Sequence, residues 1–180
     1  MVRFLEEQRQ RAKELFDLYR GHFFQMHRDG VFEEYKTYEI DSQIEIDWYN
    51  EWIDNYTKQL SIRDWDAITS LEALAKYYQD SRILDNVIAF ASRHIMGADS
   101  IVKLMYAEKL MDIIKSSKKA VSREIRYAAY QLTYKILEDM ISKPLIIDPG
   151  HELHRYNLKD KKSLNSRAKK SMDEIRNVRE

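Results

Sequence analysis

The sequence predicts an all-α protein: a single domain of about six to eight antiparallel helices in an irregular bundle, with no sheet. Three observations carry this expectation. Apolar residues recur at helical spacing along nearly the whole chain. Turn-forming residues are scarce, with Gly 4 and Pro 2 in 180 residues. The most apolar stretch, Ile83–Ser142, contains one glycine (Gly97) and no proline. Sandwiches and barrels need more Gly and Pro at their turns than this.

The first helix is expected from about Val2 to about His27, with Leu5, Ala12, Leu15, Phe16, Tyr19, Phe23 and Met26 on one stripe. His22 and His27 are five residues apart, a spacing that does not align two ligands on a helix face. Asp29-Gly30 marks a turn. A short helical period follows through Val31, Phe32, Tyr35 and Tyr38, then a connector in which Ile40, Ile44 and Ile46 alternate with polar residues. A lone extended run without a partner strand has nothing to pair with. From about Glu45 to Leu60, Ile46, Tyr49, Ile53, Tyr56 and Leu60 line one side of a helix and Asp47, Glu51 and Asp54 the other. Trp52 borders the apolar side, whereas Trp48 falls nearer the acids.

Ser61 and Asp64 resemble a capping box, with Leu60 and Trp65 as its hydrophobic staple. That helix is expected to reach about Gln79. The next opens at Asp80 or Ser81 and ends at Gly97; His94 falls within its apolar face. Asp99 caps a helix of about Ser100–Lys115 that is apolar nearly all round, the mark of a segment surrounded by other helices. A helix from about Ala120 to Ser142 shows two apolar rows. One is Val121, Ile125, Ala128, Leu132, Ile136 and Met140. The other is Tyr127, Tyr130, Tyr134 and Ile141, with Arg123 and Arg126 at its upper end. Pro144 and Pro149-Gly150 stop the pattern. The domain is placed at residues 1–147. Residues 148–180 form a basic C-terminal segment with a thin terminal amphipathic helix, expected to dock loosely.

Net charge is zero but unevenly placed. Residues 29–80 hold thirteen acids against four Lys/Arg, and residues 143–180 hold ten Lys/Arg against six acids. The zero Cys count excludes disulfides, thiolate metal sites and cysteine nucleophiles, and suits a reducing compartment. No apolar window of membrane-spanning length occurs, and the charged N-terminal residues lack a signal-peptide core; the expected location is cytoplasmic. No Gly-rich phosphate loop, GxSxG elbow, paired Glu-x-x-His or repeat period is found. HELH at 151–154 is shorter than the helical zinc motif HExxH and lacks a third ligand in sequence, so no metal and no cofactor is assigned.

No catalytic residues emerge, and the leading expectation is a non-enzymatic interaction or regulatory module. Its acidic-aromatic surface (Asp47, Trp48, Glu51, Trp52, Asp54) would take a basic protein partner, charge guiding encounter and aromatic burial supplying affinity. One alternative is nucleic-acid binding through Lys161, Lys162, Arg167, Lys169 and Lys170, against which the acidic half of the chain stands. Another is a helical enzyme or small-ligand carrier with an interhelical pocket lined by His94, Tyr127, Tyr130 and Tyr134. A homo-oligomer is compatible with the terminal helices.

Overall fold

A computed structural model of the chain describes residues 1–179. It is helical over 76% of its length, with no strand among the described residues. Nine α-helices follow one another among the described residues: α1 (Val2–Tyr19), α2 (Phe23–Arg28), α3 (Phe32–Thr37), α4 (Ser42–Gln59), α5 (Asp66–Tyr77), α6 (Ser81–His94), α7 (Ser100–Ser116), α8 (Arg123–Ser142) and α9 (Lys161–Arg179). Two 3-10 turns occupy Ile95–Gly97 and Leu153–Tyr156. The all-α class expected from composition and periodicity is what the chain adopts. Two compact units divide it, Met1–Asp54 and Asn55–Glu180.

The first unit is assembled around Phe16. Its ring lies 5.0 Å from that of Trp52 and 5.3 Å from that of Trp48, with Phe23 and Tyr35 each at 6.3 Å. Offset and tilted pairs of this kind add about 0.5–1.5 kcal/mol each beyond their buried area. The Trp52 Nε1–H donates to Asp17 at 2.9 Å, and Lys13 bridges Asp17 and Glu51 at 3.1 and 3.2 Å. The single helix expected over residues 2–27 is broken here. Arg20 and Gly21 both adopt left-handed backbone (φ 48 and 69). Gly21 N–H donates to Phe16 O and Arg20 N–H to Asp17 O, the two bonds of a Schellman motif. The apolar stripe continues through the break, which is why periodicity alone did not reveal it.

In the second unit α7 is the central helix, packed by α5, α6, α8 and α9. Asp99 caps it by accepting from Val102 N–H at 2.8 Å, as its sequence position implies. Tyr106, fully buried on α7, donates its hydroxyl to Ser61 O at 2.8 Å. Burial pushes that phenol up to about 12, although the Ser61 contact opposes the shift. The capping box expected at Ser61–Asp64 is not formed. Those side chains instead hold Arg63 N–H and Asp66 N–H in local turns, and α5 starts at Asp66. Trp65 is no staple either; its ring packs on His151 (5.4 Å) and Tyr156 (5.0 Å).

The C-terminal helix docks firmly rather than loosely. Leu158, Leu164, Ala168, Met172 and Ile175 are all buried, and α9 packs on α8 and α7. On α8 Ala129 and Thr133 take the core positions expected for Ala128 and Leu132, while Ile136 and Met140 are buried as expected. Thr133 is tolerated there because its hydroxyl donates to Ala129 O at 2.9 Å.

Two ion-pair clusters brace α7. Glu72 on α5 meets Lys76 at 2.5 Å and Lys109 at 2.9 Å; Asp139 on α8 meets Lys103 at 2.9 Å and also Lys143. Burial alone would raise both carboxyls, but the paired lysines outweigh it and hold them below their ordinary values of 4.5 and 3.8. A depressed carboxyl contributes stability that is fully present above its unfolded value and is lost as pH falls through the folded one. The urea midpoint should therefore fall as the pH drops from roughly 5 to roughly 3, and Glu72→Gln should flatten that slope. An unchanged slope in Glu72→Gln would show that Glu72 does not carry the linkage.

Candidate functional site

A concavity with convergent polar groups lies along α8, near the end of α9. Ser122 caps α8 by accepting from Ile125 N–H at 3.2 Å, which sets the register of the first turns. Arg123, Arg126, Tyr127 and Tyr130 then follow at i, i+3, i+4 and i+7 and share one helical stripe. With Val178 of α9 they line a cavity of about 200 Å³. Tyr130 is buried, whereas Tyr127 remains 50% exposed and Val178 57% exposed at the rim.

The electrostatics of this cavity are one-sided. Among the described residues, both fixed charges in the lining are arginines and no carboxylate lines it. Arg126 Nε is shielded from solvent and has no hydrogen-bond partner among the described residues. Glu174, the acid that influences Tyr130, is engaged by Lys115 at 3.0 Å. Burial raises the Tyr130 phenol, against the pull of Lys115 and Arg126, so it stays protonated at neutral pH. The guanidiniums are donors only, and the Tyr130 phenol has an O–H to donate.

Two of the four pocket residues expected from sequence, Tyr127 and Tyr130, therefore line one cavity. Tyr134 does not join them: its hydroxyl accepts from Arg176 at 2.8 Å, and its ring lies under that guanidinium. His94 is exposed on α6, its ring 5.0 Å from that of Phe90, and is not part of the lining. Arg123 and Arg126 sit on the same row in the sequence, but their joint role was visible only once Val178 closed the far side.

On α4, Asp47, Glu51 and Asp54 are exposed along one stripe, as expected. Trp48 and Trp52 are not beside them. At 5% and 9% exposure both rings belong to the core around Phe16. The apolar side of α4 is wider than its residue spacing suggests, and it takes in Trp48. Glu51 is paired with Lys13 and Asp47 accepts from Gln43 at 3.0 Å. In the basic segment, Arg167 forms a two-pronged pair with Glu108 (2.5 and 2.7 Å) and donates to Tyr156 O. Lys161 donates to Met140 O at 2.5 Å, its pKa lowered by burial and by Lys103. Lys162, Lys169 and Lys170 are exposed.

HELH finds partners that no local motif could show. His151 Nδ1 lies 2.6 Å from Asp99 Oδ2, and the same oxygen accepts from Asp148 N–H at 3.0 Å. Asp99, Asp148 and His151 bring potential ligand atoms within 4.8 Å of one another. The fully buried Asp99 carboxylate is already engaged through both oxygens, one in the α7 cap and one in this loop. These bonds make the cluster an anchor for residues 148–151. His154 is exposed and pairs with Glu152 instead.

No family model, curated protein or solved structure matches this chain.

Asp99→Ala should destabilise the protein by about 2–4 kcal/mol, because it removes a helix cap and leaves loop donors unpaired. Asp160→Ala, which removes the exposed bond to Ser163 N–H at the start of α9, should cost only about 1 kcal/mol. Equal losses in urea denaturation would mean that Asp99 acts as a cap and nothing more.

Proposed function

We propose that this protein is a non-enzymatic helical binding module that holds an anionic ligand in the cavity between α8 and α9. The observation that carries this reading is Arg126 Nε, shielded and without a partner among the described residues, in a cavity whose described lining has a second arginine and no carboxylate. A buried donor left unpaired costs about 1–3 kcal/mol, more when charged; a turn of the Arg126 guanidinium toward an oxyanion in the cavity would supply the missing acceptor. Arginine is suited to this because its planar fork can meet two oxygens at once. The lining supplies donors and ring faces, which is the chemistry of holding an anion rather than of transferring a proton from it. The whole Asn55–Glu180 unit carries 23 Lys/Arg against seventeen acids, which favours approach of an anion.

The test is a titration of the full chain with inorganic phosphate, followed by amide chemical shifts. Localised, saturable changes should appear over residues 123–130 and 174–178 and should vanish in Arg126→Met. Shifts that are absent there, or unaltered by that substitution, would contradict the reading.

The exposed acidic stripe of α4 supports a second contact, with a basic protein partner. Residues 1–54 hold thirteen acids against seven Lys/Arg. With Trp48 and Trp52 in the core, this surface would act through charge-guided encounter rather than aromatic anchoring. Association of a basic peptide at low salt should weaken in Asp47→Lys/Asp54→Lys, and indifference to that change would remove the contact. The nucleic-acid alternative keeps less support, because Arg167 and Lys161 are committed to internal partners.

A further inference from the structure

Resting on the anion reading above, we infer that the ligand of the α8–α9 cavity is an aryl phosphate: a phosphate monoester carried on an aromatic ring. Size is the first argument. A site needs only about 10–15 Å³ on this measure to seat one water, so in a cavity of about 200 Å³ an anion seated on the arginines leaves space beside it. What faces that space is the second argument. Tyr127 presents half of its surface and Val178 more than half, both lining the same cavity as the guanidiniums. A flat ring can lie against a tyrosine face and a branched aliphatic rim, gaining contact that a bare anion forgoes.

Charge is the third argument. A phosphate monoester carries roughly −1.5 to −2 at neutral pH and three acceptor oxygens. Arg123 and Arg126 together bring two positive charges, and the Tyr130 hydroxyl, kept protonated by burial, is a further donor. A carboxylate has one charge and two oxygens, and leaves part of this donor set unanswered. The i, i+3, i+4, i+7 spacing of the four α8 residues sets cation and ring side by side along one helix, so the site discriminates by requiring both parts in one molecule.

The experiment compares inorganic phosphate, phenyl phosphate and phenol on the full chain, by the same chemical shifts and by calorimetry. Phenyl phosphate should bind about 3- to 10-fold more tightly than phosphate, the worth of one aromatic contact, and phenol should not bind measurably. Tyr127→Ala should bring the affinity for phenyl phosphate close to that for phosphate; Val178→Ser, at an exposed position, should reduce the same difference in part. Equal affinities for phosphate and phenyl phosphate would overturn this inference while leaving the anion reading intact. Failure of both to shift residues 123–130 would overturn the two together. A phosphotyrosine peptide that binds more tightly than phenyl phosphate would place the ester on a protein, and the reverse order would place it on a free small molecule; either order supports an aryl phosphate.

Discussion

Helix α7 has almost no side that water can wet. Twelve of its seventeen residues are buried, among them Ile101, Leu104, Tyr106, Leu110 and Ile113. A segment of this kind is stable only when enclosed, and the unit Asn55–Glu180 is arranged to enclose it. Helices α5, α6, α8 and α9 supply the walls. The polar groups that α7 carries inward must then be satisfied inside the protein, since water cannot reach them. Asp99 closes the N-terminal end, Tyr106 binds the Ser61 backbone, and Lys103 and Lys109 find Asp139 and Glu72. Each of these bonds also fixes a neighbouring segment. Through Asp99 the demand extends to the 148–151 loop, where His151 and Asp148 N–H share one oxygen.

The cavity is a by-product of the same constraint. Helix α8 uses Ala129, Thr133, Ile136 and Met140 for the core, and α9 lies beside it on Leu164, Ala168, Met172 and Ile175. Near the start of α8 the covering thins, and among the described residues Val178 reaches across from α9. The residues left on that stripe are two arginines and two tyrosines. Had they been leucines, this would be an uncovered apolar patch; as donors with ring faces they make a cationic, aromatic-walled depression. Placement of charge runs the same way, with the excess of bases in this unit and the excess of acids in Met1–Asp54.

Much of the fold is legible in the sequence because burial follows periodicity. The α7 enclosure, its Asp99 cap, the α4 core side with Tyr49 and Ile53, and the α9 stripe can all be read from spacing. What escapes that reading has a physical cause in each case. The break at Arg20-Gly21 is invisible because Phe16, Tyr19, Phe23 and Met26 keep one period across it. The local shift on α8 is hidden by Thr133, a polar residue whose hydroxyl is satisfied within its own helix. Trp48 is hard to place by charge context, since acids alternate with core aromatics around a helix whose apolar side is wide. The site is legible in half. Tyr127, Tyr130 and the two arginines stand out as a row, but Val178 is contributed from nearly fifty residues away. The Asp99–His151 pair, 52 residues apart, has no sequence signal beyond the cap itself.

The dependence of the second unit on an enclosed α7 is open to one direct measurement, native-state hydrogen exchange across the chain. Amides of Leu104–Ile113 should exchange only through global unfolding of their unit, at the highest protection it shows, with the ends of α8 and α9 opening at lower free energy. Exchange of α7 through a local opening cheaper than that of α8 or α9 would contradict the account.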